Sequence, residues 1–182
     1  IEDLLGRKTK LINHFKKIEQ ISKKNILVTG ARGSIGSEIC KQLLEQNPKK
    51  LILLERYEPS LYTINKLLNK HLPKNDTQII PILGDIDETE YLKKLIIEKK
   101  INVIFNTAAY KHVPLVEANP IQGIKNNCLS TFNLCELANQ IKVDQLIHIS
   151  TDKAVRPTNV MGATKRFSEL IVQSFANENK LD

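Results

Sequence analysis

Five short hydrophobic runs, rich in Ile, Leu and Val, recur along the chain from Asn25 onward. Runs of this kind are typical of strands buried on both faces of a parallel sheet, where apolar and polar residues no longer alternate. The predicted strands are Ile26–Thr29, Leu51–Leu54, Gln78–Leu83, Val103–Asn106 and Gln145–Ser150.

The longer stretches between these runs carry apolar residues at spacings of three and four, which is the period of an amphipathic helix. Alternation of short strands with helices is typical of parallel sheets built from βαβ units. We therefore predict an α/β fold, a Rossmann-like doubly wound parallel sheet, over residues 24–182, preceded by a polar and basic N-terminal arm over residues 1–23. The predicted helices are Ile35–Gln46, Ser60–Lys70, Glu88–Lys99, Ile121–Ile141 and Gly162–Asn179.

Composition narrows the classes of function. A chain of 182 residues is long enough for one domain, and its formal net charge of +7 suits anionic partners such as phosphates and nucleotides. The lysines are scattered rather than gathered in one basic tract, so nucleic-acid binding is not expected. The three cysteines lack metal-ligand spacing, which predicts a reducing compartment and no metal site. No apolar run approaches the ~20 residues of a membrane span.

A glycine-rich turn follows the first predicted strand and precedes a helix. Gly30, Gly33 and Gly36 follow one another at intervals of three, in the context that marks a dinucleotide-binding turn. Glycine allows a tight turn and a close approach of backbone to a pyrophosphate, and the helix start offers N–H groups to the phosphates. The residues of this turn predicted to bind cofactor are Gly30, Arg32, Gly33, Ser34, Ile35 and Gly36.

The ends of the second and third predicted strands suggest the adenosine side of that cofactor. Glu55 is placed to accept both ribose hydroxyls of NAD and to repel a 2′-phosphate, while the neighbouring Arg56 would accept that phosphate. NAD is therefore favoured, and NADP stays open. Asp85 is expected to bond the adenine amino group, with Ile86 against the ring.

The turn after the fourth strand is also expected at the carboxyl edge of the sheet, where ligands bind. Ala108 and Ala109 are small enough for the backbone to lie against the cofactor, and Lys111 and His112 are candidate substrate-binding residues. Asn127, early in the next helix, is expected to bond either a backbone turn or a water of the cofactor site. His148 falls within a strand and is interpreted as structural.

The end of the fifth strand brings together a hydroxyl, an acid and an amine at Thr151, Asp152 and Lys153. Lys165 follows twelve residues later in a helical pattern. Met161 stands four residues before it, where many dinucleotide-dependent enzymes of this type carry Tyr, and Met neither donates nor accepts a proton. The acid and base work is therefore expected to fall on the triplet.

These segments together resemble the UDP-N-acetylglucosamine 4,6-dehydratase family, in the extended branch of the short-chain dehydrogenase/reductase superfamily. The resemblance runs from the Glu-Asp-Leu-Leu-Gly-Arg segment at residues 2–7 to the end of the chain and is most specific over Thr29–Glu38, Ala108–Glu117 and Ser150–Arg166. It points to the large, membrane-anchored subgroup of bacterial surface-glycan synthesis in which Met commonly replaces the catalytic Tyr. That subgroup retains the configuration at C5 of the sugar.

The resemblance implies a mechanism and a setting. Lys153 would be the base at C5, Asp152 the acid for the departing C6 hydroxyl, Thr151 the partner of the C4 hydroxyl, and Lys165 the ligand of the nicotinamide ribose. It also implies UDP-N-acetylglucosamine as substrate, a homo-oligomer, and a full-length protein anchored at the cytoplasmic face of the bacterial inner membrane, of which this chain is a soluble fragment ending before the substrate region.

Two departures from the subgroup and three alternative functions accompany this interpretation. Glu55 stands where Asp is usual, and Asn106 and Thr107 stand where a His-Ala pair is usual. The alternatives are an inverting 4,6-dehydratase/5-epimerase, a C4 epimerase of a UDP-sugar, and a non-catalytic nucleotide-binding domain. Met161 argues against the first two, which more readily carry Tyr at that position.

Overall fold

A five-stranded parallel sheet forms the centre of the protein, in a computed structural model that describes residues 21–70 and 76–179. The strand order is β3-β2-β1-β4-β5, and every neighbouring pair is parallel. The strands are β1 (Asn25–Thr29), β2 (Lys50–Glu55), β3 (Gln78–Leu83), β4 (Val103–Asn106) and β5 (Gln145–His148).

Helices connect the strands along the whole described chain. The first three, α1 (Ser34–Glu45), α2 (Glu58–Lys70) and α3 (Thr89–Lys99), alternate with the first four strands. After β4 come α4 (Val113–Ala118), α5 (Pro120–Gly123), a π-helical turn (Ile124–Leu129) and α6 (Ser130–Ile141). A 3₁₀ turn (Asp152–Ala154) and α7 (Val160–Asn179) follow β5.

The two faces of the sheet bury separate hydrophobic layers because successive strand side chains point to opposite sides. Ile26 and Val28 pack on the face covered by α1 and α2, while Leu27 packs on the face covered by α3 and α6. Both layers are filled by fully buried Leu, Ile and Val, each of which stabilises the fold by roughly 1.5–3 kcal/mol. The predicted doubly wound α/β fold is confirmed.

The edges of the sheet differ from the prediction. β3 and β5 were expected to be buried on both faces, but they are the two edge strands and their residues are mostly half-buried or exposed. Pro81 is tolerated in β3 because one side of an edge strand has no partner that needs an N–H donor. β5 also ends at His148, two residues before the predicted Ser150, since the chain there turns toward the 3₁₀ helix.

The helices largely match the prediction, with two differences. The predicted helix Ile121–Ile141 is present, but its second turn is π-helical with backbone angles that stay in the right-handed region. The short helix α4 was not predicted. None of the helices described is long and apolar enough to cross a membrane.

The packed domain begins a few residues before the predicted boundary between residues 23 and 24. The segment Glu2–Arg7 and the rest of residues 1–20 lie outside the described residues. Ile21, predicted as part of the arm, is fully buried in the layer beside α1, and Lys23 N–H donates to the Asn47 carbonyl. The packed domain therefore includes residues 21–23.

The strand order places a crevice between β1 and β4. The helix after β1 covers one face of the sheet and the chain after β4 passes to the other, so the two connections diverge at the carboxyl ends of neighbouring strands. Such a topological switch point is where open α/β sheets bind their ligands.

Candidate functional site

The glycine turn after β1 is packed too tightly for side chains at two of its three glycines. Gly30 has a positive φ of 63°, and a Cβ there would lie 2.8 Å from the Ala108 Cα. At Gly36 a Cβ would lie 2.7 Å from the Thr107 hydroxyl. Both glycines are therefore required by the protein itself, because they let the connections after β1 and β4 touch.

Gly33 differs from them. A Cβ there would meet only the Gly30 carbonyl oxygen, at an ordinary 3.4 Å, and its backbone is in a conformation open to any residue. Gly33 is the N-cap of α1 and lines the crevice, together with the first residues of the helix. The space beside Gly33 is therefore not filled by protein atoms and is open to a ligand.

The crevice is a cavity of about 410 Å³ at the carboxyl ends of β1, β2 and β4. It brings together residues from seven separate segments of the chain. Among the predicted site residues its walls include Gly30, Gly33, Ser34, Ile35, Gly36, Glu55, Arg56, Asp85, Ile86, Ala108, Ala109, Lys111, Thr151, Lys153 and Lys165.

One end of the cavity is charged. Glu55 accepts the backbone N–H of Arg56 at 3.2 Å and that of Arg32 at 3.4 Å. The Arg56 guanidinium lies 3.5 Å from an Asp85 carboxylate oxygen and 4.9 Å from the centre of the Tyr110 ring. Arg56 is thus already held by two neighbours. Arg32 is exposed and contributes its backbone, rather than a wall of the cavity.

The turn after β4 is held from behind by two asparagines of the π-helical turn. Asn127 is 2% exposed; its Oδ1 accepts from the Tyr110 N–H at 2.8 Å and its Nδ2 donates to the Tyr110 carbonyl at 3.0 Å. It also donates to the Thr164 hydroxyl at 2.9 Å. Of the two roles predicted for Asn127, the structure shows the backbone turn, since it lies behind the cavity wall. Asn126, which sequence reasoning missed, bonds the same N–H at 3.0 Å and lines the cavity.

The two residues predicted to bind substrate both line a second cavity of about 420 Å³ beside α4, with Leu115 and Val116. Lys111 also lines the main cavity, whereas His112 does not.

The acid, base and hydroxyl groups of the triplet lie at the opposite end of the main cavity. Thr151 is the N-cap of the 3₁₀ turn, and its hydroxyl donates to an Asp152 carboxylate oxygen at 2.9 Å. The same oxygen lies 3.4 Å from the Lys153 ammonium. The bonds from Thr151 and Lys153 lower the pKa of Asp152 and favour its carboxylate form. Thr151 and Lys153 line the cavity, while the Asp152 side chain is 87% exposed at its rim.

Met161 and Lys165 enter the cavity from α7, one helical turn apart. Met161 is 2% exposed and contributes an apolar wall. Lys165 is 6% exposed, and its Nζ donates to the Ile149 carbonyl at 2.7 Å and lies 3.1 Å from His148 Nε2. Burial lowers the pKa of Lys165 to about 8, against the opposing effects of Glu169 and Cys128. Lys165, the buried lysine of the predicted site, therefore has a pKa close to physiological pH.

Two further residues of this end were missed. The Ser150 hydroxyl lines the cavity and donates to Glu169 at 2.5 Å. Arg166 donates to the other Glu169 oxygen at 2.7 Å. Lys165 and Glu169 are four residues apart on a helix, which is a signal that the sequence did carry. In the part of the chain that the structure describes, no cluster of His, Cys, Asp or Glu is arranged to hold a metal ion.

This fold and crevice define a Rossmann-like α/β domain with a cavity at the switch point of its sheet. Residues 26–182 match the family described as polysaccharide biosynthesis protein, and the chain belongs to that family.

Similar proteins include two bacterial relatives and one solved structure. The chain is 43% identical over 179 residues to the capsular polysaccharide biosynthesis protein CapD of Staphylococcus aureus, covering 98% of this chain and 30% of that protein. It is 34% identical to an inverting UDP-N-acetylglucosamine 4,6-dehydratase of Campylobacter jejuni, covering 80% of this chain and 42% of that one. The structure of Pen from Bacillus thuringiensis superposes with a TM-score of 0.78 at 27% identity, over 87% of this chain and 48% of that one. The chain thus spans less than half the length of each of these proteins.

Proposed function

We propose that this chain carries the cofactor-binding and catalytic part of an NAD-dependent UDP-N-acetylglucosamine 4,6-dehydratase that retains the configuration at C5. Its product would be UDP-2-acetamido-2,6-dideoxy-α-D-xylo-hexos-4-ulose, a precursor for bacterial surface glycans. The observation that carries the proposal is the convergence of Thr151, Lys153, Met161 and Lys165 on the same cavity as the glycine turn.

The cavity fits a dinucleotide. The open space at Gly33 lies at the N-terminus of α1, where unpaired N–H groups and the helix dipole favour phosphate. Glu55 at the charged end suits ribose hydroxyls, and Asp85 and Ile86 line the adjoining wall. Arg56 is held by Asp85 and Tyr110, so a 2′-phosphate would have to compete with them. These contacts support NAD over NADP.

Each group at the other end of the cavity has one role in the proposed reaction. A nicotinamide held in the cavity would supply the redox chemistry, which is removal of hydride from C4 and its return to C6. Thr151 holds the C4 hydroxyl and Lys165 holds the nicotinamide ribose. Lys153 removes the C5 proton, which the 4-keto group makes acidic, and Asp152 protonates the departing C6 hydroxyl. General acid–base help of this kind contributes roughly 10²–10⁴-fold per group.

The state of Asp152 adds a requirement. Its lowered pKa keeps it a carboxylate at neutral pH, so it needs a proton before it can act as an acid. Lys153 is 3.4 Å away and carries the proton taken from C5, and the exposed rim also admits water. Either source restores the acid form, and the overall balance is the loss of one water from the sugar.

Retention of configuration follows from having a single base on one side of the sugar. Lys153 takes the C5 proton, is reprotonated by water from the exposed rim if it has passed that proton to Asp152, and after reduction of C6 returns a proton to the same face of C5. Met161 supplies no second proton donor on the wall beside Lys165.

An inverting 4,6-dehydratase is the second candidate, because the Campylobacter jejuni relative of that name is 34% identical to this chain. It would give the arabino rather than the xylo product from the same substrate.

Incubation of the full-length protein with UDP-N-acetylglucosamine and NAD in deuterated water distinguishes the two. We expect a 6-deoxy-4-keto product with solvent deuterium at C5 and the xylo configuration by NMR. An arabino product would establish the inverting reaction, and a C4 epimer without loss of water would establish epimerisation. Bound NAD without turnover of any UDP-sugar would leave only the non-catalytic role.

Assembly is a separate proposal. Exposed apolar residues on the π-helical turn, α6 and α7, namely Leu129, Phe132, Phe167 and Leu170, offer a surface for a second copy of the chain. Light scattering of the purified protein tests it. The membrane-anchored setting at the cytoplasmic face stays a prediction from the resemblance.

A further inference from the structure

A row of polar side chains crosses three strands beside the candidate site. Thr29, Asn106 and His148 end β1, β4 and β5 and are neighbours in register. The Thr29 hydroxyl donates to Asn106 Oδ1 at 2.8 Å, and Asn106 Nδ2 lies 3.2 Å from His148 Nδ1. His148 Nε2 then lies 3.1 Å from Lys165 Nζ. The row therefore connects the sheet interior to the buried lysine.

Thr29 determines which way the Asn106 amide points. The Ala108 N–H faces the Thr29 hydroxyl oxygen at 3.4 Å, so that oxygen already accepts a bond and its own hydrogen needs an acceptor. Among the described residues, Asn106 Oδ1 is the acceptor that the structure supplies. Reversing the amide would strand a buried hydroxyl hydrogen, which costs about 1–3 kcal/mol. Asn106 Nδ2 therefore faces His148.

The Asn106 amide in turn determines where the His148 ring carries its proton. Burial and, secondarily, Lys165 lower the pKa of His148 to about 4, so the ring is neutral at physiological pH and has one N–H. Because Nδ1 accepts from Asn106, the proton is on Nε2. That proton points at the Lys165 nitrogen.

A protonated Lys165 has no lone pair and cannot accept a hydrogen bond from His148 Nε2–H. The neutral amine can accept that bond and still donate to the Ile149 carbonyl. We propose that His148 is a positioning residue, set in one tautomer by Thr29 and Asn106, that favours the uncharged form of the Lys165 amine.

The charges around Lys165 are consistent with this arrangement. Glu169 faces it from the next turn of α7, but its two oxygens are occupied by Ser150 and Arg166. Cys128 faces it from the π-helical turn, and burial raises the pKa of that thiol, so it stays uncharged. Asp152 and Lys153, at the same end of the cavity, pair with each other. Burial therefore dominates and lowers the pKa of Lys165.

The row ends in the sheet interior, where Thr29 and Asn106 are each 1% exposed, so it positions a proton and does not conduct one to solvent. Its consequence for the reaction rests on the proposed function. Oxidation at C4 would remove a hydride from the C4 carbon and a proton from its hydroxyl, so that proton needs a base. An uncharged Lys165 amine can take that proton only by giving up its bond from His148 Nε2–H, because an amine has a single lone pair. Met161 on the same wall offers no acceptor.

The tautomer can be observed directly. Protein labelled with ¹⁵N-histidine and ¹³C,¹⁵N-lysine gives the protonated ring nitrogen of His148 and the titration of Lys165, assigned with the variants His148→Gln and Lys165→Arg. We expect a Lys165 midpoint near pH 8 and, above that pH, where the amine is uncharged, the His148 proton on Nε2. A proton on Nδ1 above pH 8 would overturn the proposal, whatever the midpoint.

Asn106→Asp should reverse the tautomer. The carboxylate accepts from both Thr29 and a His148 Nδ1–H, which leaves Nε2 to accept from a charged Lys165. We expect the Lys165 midpoint to rise by about one unit or more, tenfold in proton affinity. The same change made in a His148→Met protein measures the effect of the new negative charge alone. An equal rise of the Lys165 midpoint with and without His148 would contradict the proposal. If the variants do not fold, the tautomer measured in the wild-type protein tests the proposal by itself.

These measurements need no sugar substrate. If the protein fails to convert UDP-N-acetylglucosamine, the proposed function is wrong. The coupling between His148 and Lys165 is tested separately, by the NMR result. In an active protein, Asn106→Asp should also move the rising limb of the kcat profile to higher pH with little change in KM, which a merely structural role would not do.

Discussion

Gly162 packs directly against the carbonyl oxygen of Lys153, so closely that a Cβ at residue 162 would overlap that oxygen. The 3₁₀ turn that carries Asp152 and Lys153 can therefore rest on the first turn of α7. This contact ties the position of the proposed base to the helix that carries Lys165.

Replacing Gly162 with Ala should push the 3₁₀ turn away from α7. We expect turnover to fall by at least tenfold, and the free energy of unfolding to drop by about 1–3 kcal/mol because the site is overpacked. Activity assays and denaturant unfolding measure the two effects. Ala163→Ser, at the exposed neighbouring position, is the control; equal loss in both variants would mean that the contact with Lys153 is not the cause.

Gly33 and Gly36 should respond differently to the same added methyl group. Gly33→Ala meets only an ordinary contact in the protein, so we expect nearly unchanged stability but at least tenfold weaker NAD binding, because the methyl occupies the proposed phosphate space. Gly36→Ala overlaps the Thr107 hydroxyl and should lose about 1–3 kcal/mol of stability. Calorimetric titration with NAD and unfolding curves check the pair. Unchanged NAD affinity in Gly33→Ala would place the phosphates elsewhere.

Lys153→Met keeps most of the side-chain length and removes the amine. If Lys153 is the base at C5, kcat should fall by roughly 10²–10⁴-fold and exchange of the C5 proton with deuterated water should stop, while NAD affinity stays the same. The exposed Lys94→Met is a matched control for loss of one surface charge. Full turnover in Lys153→Met would assign the base to another group.

Protonation of His148 should destabilise the protein in mild acid. Its pKa is about 4 in the folded state and 6.5 ordinarily, so the unfolded chain binds the extra proton between these values. The stability contributed by the neutral ring is complete above pH 6.5 and is lost as the pH falls toward 4, by about 3 kcal/mol in all. Unfolding curves across this range should show a slope that His148→Gln removes. The exposed His112→Gln should leave the slope in place; a slope that survives in His148→Gln would assign it to other groups.

The sheet and the glycine turn were predictable because their signals are local. Apolar runs mark the strands, and the spacing of Gly30, Gly33 and Gly36 between a strand and a helix marks the turn. The predicted strands matched to within one or two residues at each end. Burial of the edge strands was predicted wrongly, because strand order is a long-range property that an apolar run does not encode.

Within the candidate site, the sequence by itself identified most of the residues that line the cavity, since each follows the carboxyl end of a strand or begins a helix. It interpreted His148, within the fifth predicted strand, as structural and gave it no partner, although Thr29 and Asn106 are polar residues that each end a predicted strand. Only the tertiary structure decided that these three ends lie in register and meet Lys165. The physical reason is that hydrogen bonds between side chains 17 to 77 residues apart depend on strand order and register, which arise only when the whole sheet packs.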